Sequence, residues 1–288
     1  MKQITVISGK GGTGKTSLTA SLSTIIQNKV IADCDVDAPD LHLILNPKIK
    51  KTMVFHGLKL AKRDVERCIR CMKCYENCRF GAINRELDID RDKCEGCGVC
   101  SYVCPVDAIS MVDRDTGFVY TSETRFGPFV YGILRTAEEA SGKLVFQVRQ
   151  EAMRMAEERN LDLILIDGPP GIGCPVVASL SGVDIALIVA EPTKSGIHDM
   201  ERVLKVVEHF GVRPLVCINK YDLRIENSIE IEEFCRRKGI EVVGKIPFDE
   251  GFIGALINGK SIVEYDPESE ASKRIVEMWE RIENRLGE

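Results

Sequence analysis

An apolar, β-branched run at Ile4–Ile7 breaks directly into Gly9-Lys10-Gly11-Gly12-Thr13-Gly14-Lys15-Thr16. No other feature restricts the fold so tightly. A G-x-x-x-x-G-K-[ST] loop between a strand and a helix lets successive backbone N–H groups converge on phosphate oxygens, and the helix adds its positive N-terminal end. In that setting Lys15 reaches the β- and γ-phosphates and the Thr16 hydroxyl ligates Mg²⁺. Gly9 through Thr16, with Ser17 next in the chain, form the candidate nucleotide-binding set. A glycine-rich turn with chance lysines is the alternative, and it leaves the strand in front of the loop unexplained.

Further apolar runs at Leu163–Ile166, Ile185–Val189, Leu215–Ile218 and Glu241–Ile246 predict strands, with helical periodicity between them at Met200–Phe210 and Ile229–Arg237. Short strands buried on both faces and separated by helices imply a doubly wound, mostly parallel α/β sheet of the P-loop NTPase kind. Glu268–Leu286 places Ile275, Met278, Trp279, Ile282 and Leu286 on one face, which predicts a helix packed on that sheet.

Leu163–Ile166 ends in Asp167-Gly168-Pro169-Pro170-Gly171, a carboxylate at the strand edge where ligands bind in open α/β sheets. Phosphoryl transfer needs a carboxylate for Mg²⁺, and Asp167 reads as that Walker B residue.

Of twelve cysteines in 288 residues, eight fall between residues 62 and 112. Cys68, Cys71, Cys74 and Cys78, followed by Ala82 and Ile83, recur 26 residues later as Cys94, Cys97, Cys100 and Cys104, followed by Ala108 and Ile109. The N-terminus runs directly into a strand and loop with no cleavable signal, so a cytoplasmic, thiol-reducing setting is expected, in which clustered cysteines hold metal and do not pair. Both sets have the C-x2-C-x2-C-x3-C spacing of bacterial ferredoxins, with Pro105 after the second and Arg79 after the first. Zinc also takes paired cysteines, but a zinc ribbon needs four and gives no reason for the third and fourth in each repeat. Resemblance to two-cluster ferredoxins implies two [4Fe-4S] clusters. One takes Cys68, Cys71, Cys74 and Cys104, the other Cys94, Cys97, Cys100 and Cys78. The expected division is therefore an inserted α+β bacterial-ferredoxin-like domain at 62–112 within an ATPase domain formed by 1–61 and 113–288.

Charge differs between the repeats: residues 62–83 hold six Lys/Arg against three Asp/Glu, and residues 84–112 hold three against six. A positive setting favours a reduced cluster, so the first motif is expected to have the higher potential, unless screening of a solvated surface cancels the difference.

Lys10 with the glycines that follow gives KGGTGKT, which resembles the deviant Walker motif of the MinD/ParA family, including the nitrogenase iron protein. The resemblance covers the chain outside 62–112. It implies that Lys10 crosses to a partner subunit's nucleotide, so that ATP is sandwiched in a homodimer or in a heterodimer with a related ATPase. It further implies roles in Asp33-Cys34-Asp35-Val36-Asp37: Asp35 positions the attacking water and Asp33 supports Mg²⁺. Gly171 looks like the switch II glycine that senses the γ-phosphate, Asn219 like the purine contact, and Pro247 like the backbone packed on adenine. Asn219-Lys220-Tyr221-Asp222 also matches the guanine signature of other GTPases, which leaves the base open. Lys10, Lys15, Asp35 and Asp167 are the catalytic candidates. Cys174 stands seven residues after Asp167, where the iron protein has a cluster ligand; a structural thiol and a thiol pair across a dimer are both open. Cys34, Cys217 and Cys235 are expected in the core.

The implied role is ATP-dependent electron delivery to a redox protein, or cofactor assembly for an acceptor protein. A positioning ATPase with clusters that only stiffen the fold is the third reading. The net charge of -5 argues against nucleic acid, and no apolar run of 18 residues is present to span a membrane.

Overall fold

The computed structural model describes residues 1–135 and 140–287. The chain divides into two compact units: Met1–Met53, Val119–Ile133 and Ser141–Glu288 form the first, Val54–Phe118 and Leu134–Ala140 the second.

Nine strands run in chain order as β1 (Lys2–Ser8), β2 (Lys29–Asp33), β3 (Lys48–Arg63), β4 (Ile109–Thr124), β5 (Gly127–Leu134), β6 (Leu163–Pro170), β7 (Ile185–Ala190), β8 (Arg213–Asn219) and β9 (Glu241–Ile246). Their order in the sheet is β3-β4-β5-β2-β6-β1-β7-β8-β9. Residues 54–63 of β3 and 109–118 of β4 belong to the second unit.

β1 lies between β6 and β7 in parallel register, and β2, β5, β8 and β9 extend the parallel pairing. Helices cover both faces of such strands, which is why the alternating neighbours Leu165 and Ile166, Leu187 and Ile188, and Leu215 and Val216 are all buried. β4 and β5 are linked by only Arg125 and Phe126 and are therefore antiparallel. The helix Glu270–Leu286 buries Ile275, Met278, Trp279 and Ile282, each worth ~1.5–3 kcal/mol of apolar burial. Gly244 in β9 admits that helix, since a Cβ there would lie 2.8 Å from Met278 Cγ.

The second unit has little apolar material. Its buried cluster is Ala61, Cys74, Ala82, Ile83, Leu87, Cys94 and Ile109. Single-turn helices, Lys73–Glu76 and Val99–Tyr102, sit in the two cysteine motifs. The sequence repeat is also a backbone repeat. Arg70 and Gly96, Met72 and Gly98, and Gly81 and Asp107 occupy matching positions, and all six have positive φ. Glycine meets this geometry without penalty, whereas for an L side chain the left-handed region costs roughly 1–2 kcal/mol per residue.

Candidate functional site

β1 delivers the phosphate-binding loop to the C-terminal edge of the sheet, and the helix Lys15–Ile25 follows it. Gly14 turns the chain into that helix at φ 89°. A side chain there would strike Asn219, because a Cβ would come 2.3 Å from its Nδ2.

Lys15, nearly buried, points at the carboxylates gathered by β2 and β6. Its Nζ lies 2.9 Å from Asp167 Oδ1 and 3.5 Å from Asp35 Oδ2. Asp167 also accepts from the hydroxyls of Thr16 and Thr19, both at 2.9 Å. Asp33 is fully buried and accepts from the Asp35 amide at 3.0 Å and the Leu41 amide at 3.3 Å. Burial, reinforced by Asp167, pushes the Asp33 carboxyl well above the usual range. Burial also raises Asp35, against the pull of Lys15. For Lys15 burial acts downward, yet Asp167, Asp35 and Asp33 together carry its pKa upward.

Three carboxylates thus share one ammonium, an excess of negative charge that suits a hard divalent cation. Mg²⁺ uses one or two carboxylates plus substrate phosphates, so it needs no cage made wholly of protein. Among the described residues no three His, Cys, Asp or Glu side chains form a cage for one ion. The Thr13 hydroxyl in the loop is buried and lacks a hydrogen-bond partner among the described residues, which fits a site that completes itself around a ligand.

Sequence-selected residues here take contacts of their own. The Asn219 side-chain amide donates to the Thr13 carbonyl at 2.7 Å, bracing the loop. The Gly171 amide donates to the Ser8 carbonyl at 2.8 Å. Pro247 follows β9, and the next amide, that of Phe248, donates to Asp222 Oδ1 at 2.7 Å. Ser17 lies in the first turn of the helix and accepts from the Ser21 hydroxyl through its carbonyl, at 2.8 Å.

Lys10 is held within its own chain: Glu191 Oε2 at 3.0 Å, Thr193 Oγ1 at 3.2 Å and Ser195 Oγ at 3.2 Å take its ammonium. Glu191 pairs with Lys220 as well, at 3.1 Å, and although burial opposes it, these two lysines lower its pKa. Sequence reasoning overlooked Glu191 and Thr19. Both were within reach: Glu191 follows the apolar strand β7, as Asp167 follows the apolar run Leu163–Ile166 within β6, and Thr19 stands one helical turn after Lys15.

In the second unit the cysteines line two cavities. One is bordered by Cys68, Cys71, Cys74 and Cys104, together with Ile69, Met72, Leu87 and Val106. The other is bordered by Cys78, Cys94, Cys97 and Cys100, together with Phe80, Ile83 and Met111. Each repeat therefore lends its fourth cysteine to the other's cavity. Burial raises Cys74, with the thiols of Cys68 and Cys71 adding to the rise, and Cys100 is raised in the same way beside Cys94 and Cys97. Cys34, Cys217 and Cys235 are buried in the first unit, and Cys174 is exposed at the start of the helix Cys174–Leu180.

Residues 4–262 match the CobQ/CobB/MinD/ParA nucleotide-binding domain. The chain belongs to this family of P-loop ATPases and carries a ferredoxin-like insertion. It is 36% identical to the uncharacterized protein MJ0578 of Methanocaldococcus jannaschii, over 97% of this chain and 96% of that one. It is 23% identical to an iron-sulfur cluster carrier protein of Pyrococcus horikoshii, over 99% of this chain and 87% of the other. A stretch of 48 residues, 17% of this chain and 59% of the relative, is 48% identical to the pyruvate synthase subunit PorD of Methanothermobacter marburgensis. Among solved structures, the septum site-determining protein MinD of Pyrococcus horikoshii complexed with Mg-ADP superposes with a TM-score of 0.63 at 19% identity, covering 99% of this chain and 97% of that one. Among the described residues no helix is long and apolar enough to cross a membrane.

Proposed function

We propose that this protein hydrolyses ATP to drive a dimer switch coupled to electron transfer through two [4Fe-4S] clusters in the segment 62–112. The single observation that supports the cluster assignment is the interleaving of the repeats: Cys104 borders the cavity of Cys68, Cys71 and Cys74, and Cys78 borders that of Cys94, Cys97 and Cys100. A zinc pair within each repeat would need no such exchange. When bound, each cluster takes up and releases one electron, and the thiolates of this chain fix where that happens.

In the nucleotide site, Lys15 would hold the β- and γ-phosphates once Asp167 is shared with Mg²⁺ and Thr16. Asp35, less buried than Asp33, is placed to orient water, while Asp33 braces the turn that carries Asp35. Asn219 and Pro247 would contact the base and Gly171 the γ-phosphate. Lys10 reaches a partner subunit's nucleotide only after leaving Glu191, Thr193 and Ser195. The second protomer is a copy of this chain or a related ATPase, and the redox partner is a separate protein.

Anaerobic EPR of dithionite-reduced protein, with and without MgATP, tests the reading. Two [4Fe-4S] signals, about eight iron atoms per chain, and a MgATP-dependent change in line shape or reducibility are expected. Reconstituted protein that holds only zinc, or that shows no affinity for a nucleoside triphosphate, overturns it.

A second reading, a cluster carrier that assembles cofactors for an acceptor, is favoured by the 23% identity to an iron-sulfur cluster carrier protein over 99% of this chain. ATP-dependent loss of iron to an apo-acceptor, without net electron flow, would select it.

A further inference from the structure

The internal repeat offers two versions of one loop on one backbone. Between its thiols the first carries Ile69, Arg70, Met72 and Lys73, and the second carries Glu95, Gly96, Gly98 and Val99. Arg70 (φ 54°) and Met72 (φ 65°) keep side chains in the left-handed region, where the second loop places glycine. Gly96 has a steric reason besides its φ, because a Cβ would meet the Lys59 carbonyl at 2.3 Å; Gly98 has none. Met72 has a packing reason: it borders the first cavity and joins the small core. Arg70 has no such reason. It is exposed, and among the described residues it forms no ion pair and donates no hydrogen bond. A strained residue that supports nothing in its own chain points to a partner outside it.

The surroundings say what kind. Lys73 is exposed one residue before Cys74, with its ammonium equally unpaired among the described residues. Ile69 borders the cavity of Cys68, Cys71, Cys74 and Cys104 and is 61% exposed, and Val65 nearby is 70% exposed. A cationic pair beside exposed aliphatic side chains, over a cavity bordered by thiols, matches an acidic protein surface with an apolar centre. At the second loop the corresponding positions hold Glu95 and no cation.

We propose that the Cys68–Cys74 loop is the docking face for an acidic electron-transfer protein, with Arg70 and Lys73 as its charged contacts and Ile69 as its apolar one. The proposal rests on the two-cluster reading. Electrons then enter or leave at the first motif's cluster. One electron passes between docked carriers, one being oxidised as the other is reduced, with no atom transferred.

The test uses the full, cluster-loaded chain and a small acidic ferredoxin as probe. Stopped-flow measures the second-order rate of electron exchange, and isothermal titration measures binding at low and at physiological ionic strength. Arg70→Glu combined with Lys73→Glu is expected to slow exchange roughly tenfold or more at low salt. The deficit should shrink once the Debye length falls to about 8 Å. Arg70→Gly should weaken docking while raising the temperature at which cluster absorbance is lost, because it relieves the φ strain and removes no internal contact. A structural role for Arg70 would lower that temperature instead, and would overturn the assignment. Equal rates and affinities in all variants at full cluster content would overturn it too, leaving the two-cluster reading intact. A chain that takes up no iron removes both.

Discussion

In the P-loop unit, Ile4, Val6, Leu165, Leu187, Leu215, Ile275 and Trp279 belong to one large apolar cluster that runs through the sheet and onto the last helix. In the cysteine unit the cluster has seven buried residues, two of them cysteines, with Cys68, Cys78 and Cys100 packed against it. The first is a conventional core whose apolar burial offsets chain entropy by itself. The second has thiols where a core of its size would need Leu or Ile, so most of its folding free energy must come from whatever the thiols bind. The nucleotide site is thus fixed on rigid strands before any ligand arrives, whereas on the two-cluster reading the cysteine unit is expected to form together with its ligand.

Removing iron gives the largest effect that this contrast predicts. Anaerobic chelation should abolish hydrogen-exchange protection across 54–118 while leaving strands β1, β6, β7 and β8 protected. Mass spectrometry after exchange reads both regions in one sample. Retained protection in 54–118 would mean that the seven-residue cluster suffices, and the contrast would fail.

Next comes a substitution that should affect only the other unit. Lys15→Ala leaves Asp33, Asp35 and Asp167 without their shared cation, and ATP hydrolysis should fall by at least about 100-fold. Iron content and visible absorbance should not change. Loss of both would mean that the clusters are held only by a nucleotide-competent chain.

The legible part of the molecule was the part with a strong period. Ile4–Ile7, Leu163–Ile166, Ile185–Val189 and Leu215–Ile218 fall inside β1, β6, β7 and β8, and Glu241–Ile246 coincides with β9. Such strands are apolar on both faces and announce themselves. β3 and β4, each 16 residues long, gave no such signal. The first five residues of β3 are exposed, and its few buried positions are spaced through a lysine-rich run. Asp167 was visible because a carboxylate ends an apolar strand. Glu191 ends another one by the same rule, but no motif drew attention to it. The strain at Arg70 and Met72 was hidden for a different reason. Glycine in the second repeat marks the left-handed positions, whereas spacing alone says nothing about the φ of the residues matched to them.

A third effect belongs to the P-loop unit alone. Lys29 opens β2, is buried, and donates to the Ile26 carbonyl at 2.6 Å and the Phe126 carbonyl at 2.9 Å. Burial lowers its pKa from 10.5 to about 8. Between those values the unfolded chain binds more protons than the folded one, so stability should rise with pH from about 8 upward, by at most about 3 kcal/mol. Urea midpoints of wild type and Lys29→Met, compared from pH 7.5 to about 10.5, isolate the contribution; the variant should lack the slope. Parallel curves would show that the two carbonyl contacts keep Lys29 charged throughout.

The smallest effects separate backbone strain from crowding inside the cysteine unit. Gly98 has φ 78°, and a Cβ there would meet nothing within 4 Å, so Gly98→Ala should cost only the left-handed penalty, roughly 1–2 kcal/mol. Gly96 has a similar φ, 63°, but its Cβ would lie 2.3 Å from the Lys59 carbonyl, and Gly96→Ala should cost distinctly more. Asp107, the counterpart of Gly81, is a residue that tolerates this region, so Asp107→Gly should gain less than about 1 kcal/mol. Thermal loss of cluster absorbance ranks the three. The order follows if a cluster-nucleated unit still obeys local backbone energetics once formed. If all three variants melt together, the cluster sets the stability of the unit outright and the loops merely follow it, which would push the difference between the two units further than their cores alone suggest.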